Sequence, residues 1–142
     1  LPDIDDNTRS LIMNTDWRST PKSFCHGDLT FENMIVSNGK LYLIDFLDSF
    51  IGTELIDISK LIFDIRYFWS HRNYHKKSQA IIRNIFFEKK LRNLPAYNEH
   101  ENKINCLVIM SILRIIPYIS DDNTSLKKYL NRCLKDATKD NK

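Results

Sequence analysis

Cys25-His26-Gly27-Asp28-Leu29-Thr30-Phe31-Glu32-Asn33 leads into the apolar run Met34-Ile35-Val36, the polar break Ser37-Asn38-Gly39-Lys40 and a second apolar run, Leu41-Tyr42-Leu43-Ile44, that ends on Asp45. Asn-Gly between two short apolar runs is the strongest local signal for a β-hairpin, because both residues tolerate positive φ. Such a hairpin brings Asn33 beside Asp45. An amide oxygen and a carboxylate close together at a strand edge are hard oxygen ligands, of the kind Mg²⁺ takes when it keeps several waters and binds substrate phosphates. Asp28 lies five residues before Asn33 on a segment with neither helical nor strand alternation, which reads as a loop. It would stand near that ion without ligating it, where it could accept a proton from a hydroxyl. Taken singly, each residue has a plainer reading: Asp28 as a turn or cap residue, Asn33 as a strand-edge turn residue, Asp45 as a strand-end carboxylate.

Taken together, His26-Gly27-Asp28-Leu29, Asn33 and Ile44-Asp45-Phe46 resemble the catalytic loop and metal motif of the aminoglycoside phosphotransferase and choline kinase families, relatives of protein kinases. Gly52-Thr53-Glu54-Leu55-Ile56-Asp57-Ile58 resembles a further family stretch, Gly-x-Pro-x-x-Asp-Leu, with Glu54 at the usual proline position. The resemblance implies a transferase using ATP or another nucleoside triphosphate, with Mg²⁺ and a small-molecule hydroxyl acceptor. It makes Asp28 the catalytic aspartate and Asn33 and Asp45 the residues that hold the metal ions bridging the nucleotide phosphates. By the same resemblance His26 supports the loop by packing and hydrogen bonding, and Asp57 anchors it from the start of the next helix. Thr30 stands where many members carry His, which leaves the substrate class open; Leu47 replaces the glycine of the protein-kinase Asp-Phe-Gly triplet, as is ordinary in this family.

Working outward, the expected fold class is α+β: a mostly helical C-terminal lobe of a protein-kinase-like fold with a small hairpin carrying the motifs. A short helix is expected within residues 5–16, separated by Pro21 from a strand at Ser23 to Cys25. Leu55, Ile58, Ile62, Ile65 and Trp69 recur at intervals of three and four, giving a helix whose apolar face should pack under the site. Further helices are expected over residues 76–92 with Ile81, Ile82, Ile85 and Phe86, and over residues 99–119, which Pro117 should kink or close. Asp121 or Asp122 should cap a last helix carrying Leu126, Tyr129, Leu130 and Leu134, before a frayed tail over residues 135–142.

The 142 residues, 42% hydrophobic and 11% aromatic, suffice for one domain with a sizeable core, and residues 1–142 are read as a single unit. The β-rich nucleotide-clamping lobe of the family does not fit in the 25 residues before His26, which contain no glycine, so the chain reads as a C-terminal lobe expected to transfer phosphate poorly by itself. The net charge of +3 is unevenly spread. Asp28 to Asp57 holds six acidic residues and one basic, whereas Arg66 to Arg92 holds eight basic residues and one acid, Glu88. The surplus acids Glu32, Asp48 and Glu54 suit a cationic or amino-sugar acceptor, or are simply solvated loop carboxylates. Cys25, Cys106 and Cys133 are widely spaced and odd in number, which points to neither a disulfide framework nor a zinc cluster and favours a reducing, cytoplasmic setting. No apolar run is long enough to span a bilayer.

Three functional classes therefore compete. The leading one is a phosphotransferase lobe acting through Asp28, Asn33 and Asp45. A second is a non-catalytic remnant that keeps its motifs for folding and serves as an interaction module, self-associating through the surface left by the absent lobe. The third is a nucleic-acid-binding helical domain using residues 66–92 with Tyr67, Phe68, Trp69 and Tyr74. Helical spacing of the apolar residues there favours a core face with a solvated basic back over that third class.

Overall fold

Asn38 and Gly39 both take positive φ, 50° and 73°, and close a two-residue turn between β1 (Met34–Ser37) and β2 (Lys40–Leu43). The strands pair antiparallel in the register Met34↔Leu43, Ile35↔Tyr42, Val36↔Leu41. The computed structural model describes residues 4–73 and 78–139, and among these the remaining regular structure is helical, so the class is α+β.

Among the described residues five α-helices surround the core. α1 (Asp6–Asn14) is capped by Asp5, whose carboxylate accepts the Thr8 N–H. α2 (Glu54–Tyr67) is capped by Thr53 and carries Glu54 and Asp57 in its first turn, where acids favour a helix start. α3 (Ser78–Arg92), α4 (Pro95–Ile115) and α5 (Thr124–Ala137) follow. α2 packs on α4 and α3, and α5 packs on α4. Leu55, Ile58, Ile62 and Phe63 of α2 meet Ile104, Leu107, Val108 and Ile112 of α4 and Leu130 of α5 in one buried cluster. Burying each such aliphatic side chain contributes roughly 1.5–3 kcal/mol before ordering costs.

Several local expectations are corrected. Residues 23–25 form no strand; the segment is tied down instead by a Ser23 N–H bond to the Gly52 carbonyl, 3.1 Å. α4 starts at Pro95 rather than Glu99, because the first turn of a helix needs no donor from proline. Its backbone kinks at His100 (φ −130°, ψ 24°), while Pro117 closes the helix, one of the two outcomes expected of it. Pro117 sits past the helix end, in the 3₁₀ turn Ile116–Tyr118. Asn123, not Asp121 or Asp122, caps α5 by accepting the Leu126 N–H at 3.1 Å. α5 continues to Ala137, which is buried, so residues 135–137 of the expected tail are helical; residues 140–142 lie outside the described residues. The expected helix start at Lys76 also lies outside them, as does Tyr74.

The largest correction concerns α3. Ile81, Ile82, Ile85 and Phe86 are exposed, while Ala80 and Asn84 are the buried positions, Asn84 donating to the Ile65 carbonyl of α2 at 2.8 Å. Helical spacing locates a stripe without saying which stripe is covered. Three basic residues of the Arg66 to Arg92 stretch are held in ion pairs: Arg66 and Arg92 with Glu88, and Arg72 with Glu32. No described helix is long and apolar enough to cross a membrane.

Candidate functional site

The loop 26–33 has almost no regular structure of its own, only the 3₁₀ turn Phe31–Asn33, and hydrogen bonds from α2 and β2 give it shape. At its start the Asp57 carboxylate accepts both the His26 N–H (2.7 Å) and the Gly27 N–H (2.9 Å). At its far end the fully buried Asp64 carboxylate accepts the Phe31 N–H (2.7 Å) and the Ser70 N–H (2.8 Å). Between these two anchors Lys60 reaches from the same helix, its ammonium 2.9 Å from Asp28 Oδ1. Asp57, Lys60 and Asp64 are spaced i, i+3, i+7, so a polar stripe of α2 faces the loop. This corrects the expectation that the apolar face of that helix packs under the site: Leu55, Ile58 and Ile62 belong to the core shared with α4.

His26 joins the loop to the strand end. Its Nε2 lies 2.7 Å from the Ile44 carbonyl, which can only accept, so the ring carries its proton there and Nδ1 accepts the Asp28 N–H at 3.4 Å. The ring also packs against Phe46, centroids 4.3 Å apart. Leu47 N–H donates to the His26 carbonyl at 2.9 Å, and a Cβ on Gly27 would lie 2.0 Å from the Leu47 carbonyl oxygen. With φ of +84° besides, position 27 admits only glycine.

Asn33 is buried and its amide is fixed: Nδ2 donates to the Asp28 carbonyl (2.8 Å) and to Asp28 Oδ2 (3.3 Å). That turns Oδ1 away from the pair. Across the hairpin end, Ile44 N–H donates to the Asn33 carbonyl at 3.1 Å, so Asp45 follows directly beside Asn33. Asp45 is exposed and sits in the left-handed region (φ 58°), a conformation that aspartate tolerates and that turns the chain out of the strand. The Asn33 amide oxygen and the Asp45 carboxylate are hard oxygen donors, the kind that Mg²⁺ takes. Among the described residues no group of three or more His, Cys, Asp or Glu side chains is arranged to hold a metal.

The sequence-derived residues Asp28, Asn33, His26 and Asp57 are thus joined by hydrogen bonds, and Asp45 follows Ile44, whose backbone bonds to Asn33 and His26. Lys60, Asp64 and Ser70 are the members that sequence reasoning missed. A signal was present, since charges at positions 57, 60 and 64 inside an otherwise buried helix require partners. Burial pushes the Lys60 ammonium below the ordinary lysine value, and its hydrogen bond to Asp28 pulls it back up. A groove of about 850 Å³ between α1, α4 and α5 includes none of these residues and lies apart from the cluster. The three cysteines are free thiols.

Residues 3–86, which span α1, the loop, the hairpin, α2 and part of α3, match the model of the phosphotransferase enzyme family. No curated protein and no solved structure matches the chain.

Proposed function

The chain belongs to the phosphotransferase enzyme family, and from that premise we propose that it is the C-terminal, kinase-like lobe of an enzyme that moves the γ-phosphoryl group of ATP, or another nucleoside triphosphate, to a hydroxyl of a small molecule. The acceptor class that suits the site is an aminoglycoside, a choline-like amino alcohol or a sugar. The observation that carries the reading is the Asp28–Asn33 pair. One amide links the residue that would orient the acceptor to the residue that would hold the metal, at 2.8 and 3.3 Å. Asp28 would accept the hydroxyl proton as the oxygen–phosphorus bond forms; the bond from the γ-phosphorus to its bridging oxygen breaks, and the diphosphate leaves with that electron pair. Mg²⁺ held by Asn33 and Asp45 would neutralise charge on the phosphate oxygens. His26 and Asp57 would keep the loop backbone in place, so the chain contributes chiefly positioning.

The test is Mg²⁺-dependent ATP binding by calorimetry on the full-length protein and on these 142 residues, followed by turnover of acceptors. Asp45→Ala should abolish metal-dependent binding. Asp28→Asn should leave binding in place and lower turnover by about 10³-fold or more, since the residue acts on the acceptor. A full-length protein that tolerates both changes ends the proposal.

A second reading has its own observation. Phe24, Val36, Phe46 and Phe50 are exposed on and beside the hairpin, more apolar surface than a strand pair in water ordinarily shows. These 142 residues would then act as an interaction module that pairs with a second copy or with a nucleotide-clamping lobe. Sedimentation showing only monomer at high concentration, with no binding to such a lobe, would remove it.

A further inference from the structure

We propose that Lys60 is a positioning residue for phosphoryl transfer, holding the Asp28 carboxylate in the orientation that receives the acceptor hydroxyl. The inference rests on the function proposed above.

The α2 stripe divides its work. Asp57 and Asp64 bind backbone N–H groups at the two ends of the loop and so fix the main chain on either side of Asp28. Neither touches the Asp28 side chain. Lys60 does, at 2.9 Å from Oδ1, while Asn33 Nδ2 takes Oδ2 at 3.3 Å. A carboxylate with a donor on each oxygen has its plane fixed. With the lysine removed, the longer Asn33 bond would be the remaining hold and the carboxylate could rotate about its χ angles.

Burial argues that this lysine is kept for that contact. The Lys60 side chain is 8% exposed, whereas the Asp28 side chain keeps 28% of its surface open. A lysine ordinarily runs its stem along apolar surface and leaves its ammonium in water. Here the ammonium is taken inside, next to a carboxylate that needs no burial, and a hydrophobic residue of the same length would pack there without that desolvation. Arg114 adds a second positive charge nearby, which further disfavours a buried cation. Helix packing alone gives no reason for a charge at this point of α2.

The test is a double-mutant cycle on the full-length protein, with Mg·ATP turnover measured with water as acceptor, alongside thermal unfolding. Lys60→Met keeps length and apolar bulk. The expected result is a fall in kcat of roughly 10- to 100-fold, the scale of one lost charge-assisted hydrogen bond, with KM for ATP changed by less than about threefold. Lys60→Arg should recover part of the loss, because it retains a cationic donor facing Oδ1. In an Asp28→Asn background, Lys60→Met should add almost nothing, since its effect runs through the carboxylate already removed. Equal turnover in wild type and Lys60→Met overturns the inference alone, as does an undiminished effect in the Asp28→Asn background. If Lys60→Met loses its unfolding transition, Lys60→Arg decides: a folded Arg variant whose kcat falls while its KM for ATP stays within about threefold of wild type supports the positioning role, and one with unchanged kcat overturns it. A wild-type protein that neither binds nor turns over Mg·ATP overturns the phosphotransferase reading, and the inference with it.

Discussion

Replacing Asp64 by alanine tests whether the loop owes its shape to α2. The carboxylate is fully buried and accepts the Phe31 N–H at 2.7 Å and the Ser70 N–H at 2.8 Å, with the Ser70 hydroxyl as a third donor. Truncation leaves two backbone donors without an acceptor. Hydrogen bonds to charged groups contribute about 1.5–3 kcal/mol each, so losing the two backbone bonds costs roughly 3–6 kcal/mol before any recovery. Phe31 and Ser70 are partly exposed, which lets water replace some of what is lost. The expected destabilisation is therefore about 3–4 kcal/mol, a fall in Tm on the order of 10 °C for a domain of this size. Asp64→Asn should lose about half as much, because one oxygen still accepts while the amide nitrogen meets a donor. Denaturant titration of these 142 residues, followed by tryptophan fluorescence, reads both values. Trp69 is a useful reporter, since it packs on Phe63 beside Ser70, ring centroids 5.4 Å apart. A loss below about 1 kcal/mol for Asp64→Ala, or equal losses for Ala and Asn, would refute the reasoning.

Gly27→Ala should destabilise by more than about 3 kcal/mol and disable nucleotide binding, because φ of +84° and a Cβ 2.0 Å from the Leu47 oxygen cannot be relieved by a side-chain rotation; denaturation and calorimetry check it, and a stable, binding-competent variant refutes it. Stability should hold from pH 7 to about 8.5 and fall above pH 9. Burial pushes the Cys133 thiol up to about 11 and raises Cys106, Tyr67, Tyr97 and Tyr129 as well. In the unfolded chain these groups lose their protons from the ordinary values of 9.0 and 10.0 upward, so the stability present below pH 9 drains away as pH rises. Lys60 runs the other way, its lowered value giving back some stability as pH approaches 10.5, but it is one group against five. Cys133→Ala should flatten the decline by on the order of 2 kcal/mol between pH 8 and 10.5, and a stability curve flat to pH 10.5 would contradict the assignment.

What could be read from the sequence was what is local. The hairpin follows from Asn38-Gly39 between apolar runs, and the proximity of Asn33 and Asp45 follows from the hairpin alone. The start of α2 was equally legible, because Thr53 and the acids after it act within one turn. Legibility failed wherever the outcome depended on a partner distant in the chain. Lys60 and Asp64 sit within a helix whose apolar spacing dominates any periodicity reading, and their partners in the loop, Asp28 and Phe31, lie over thirty residues upstream. Ile82, Ile85 and Phe86 repeat with helical spacing yet face outward, because the side of α3 that docks is the one carrying Asn84. The kink of α4 at His100 carries no proline to mark it, whereas Pro117 ends the helix.

The crossing of residues 26–28 over residues 44–47 has a mechanical implication. Two hydrogen bonds, one ring contact and a glycine with no room for a methyl lock these segments together. The backbone on both sides of Asp45 is therefore tied to the start of the loop that carries Asp28. Displacing the backbone at Asp45 would break the His26 contacts to Ile44 and Leu47 and so disturb the loop that carries Asp28.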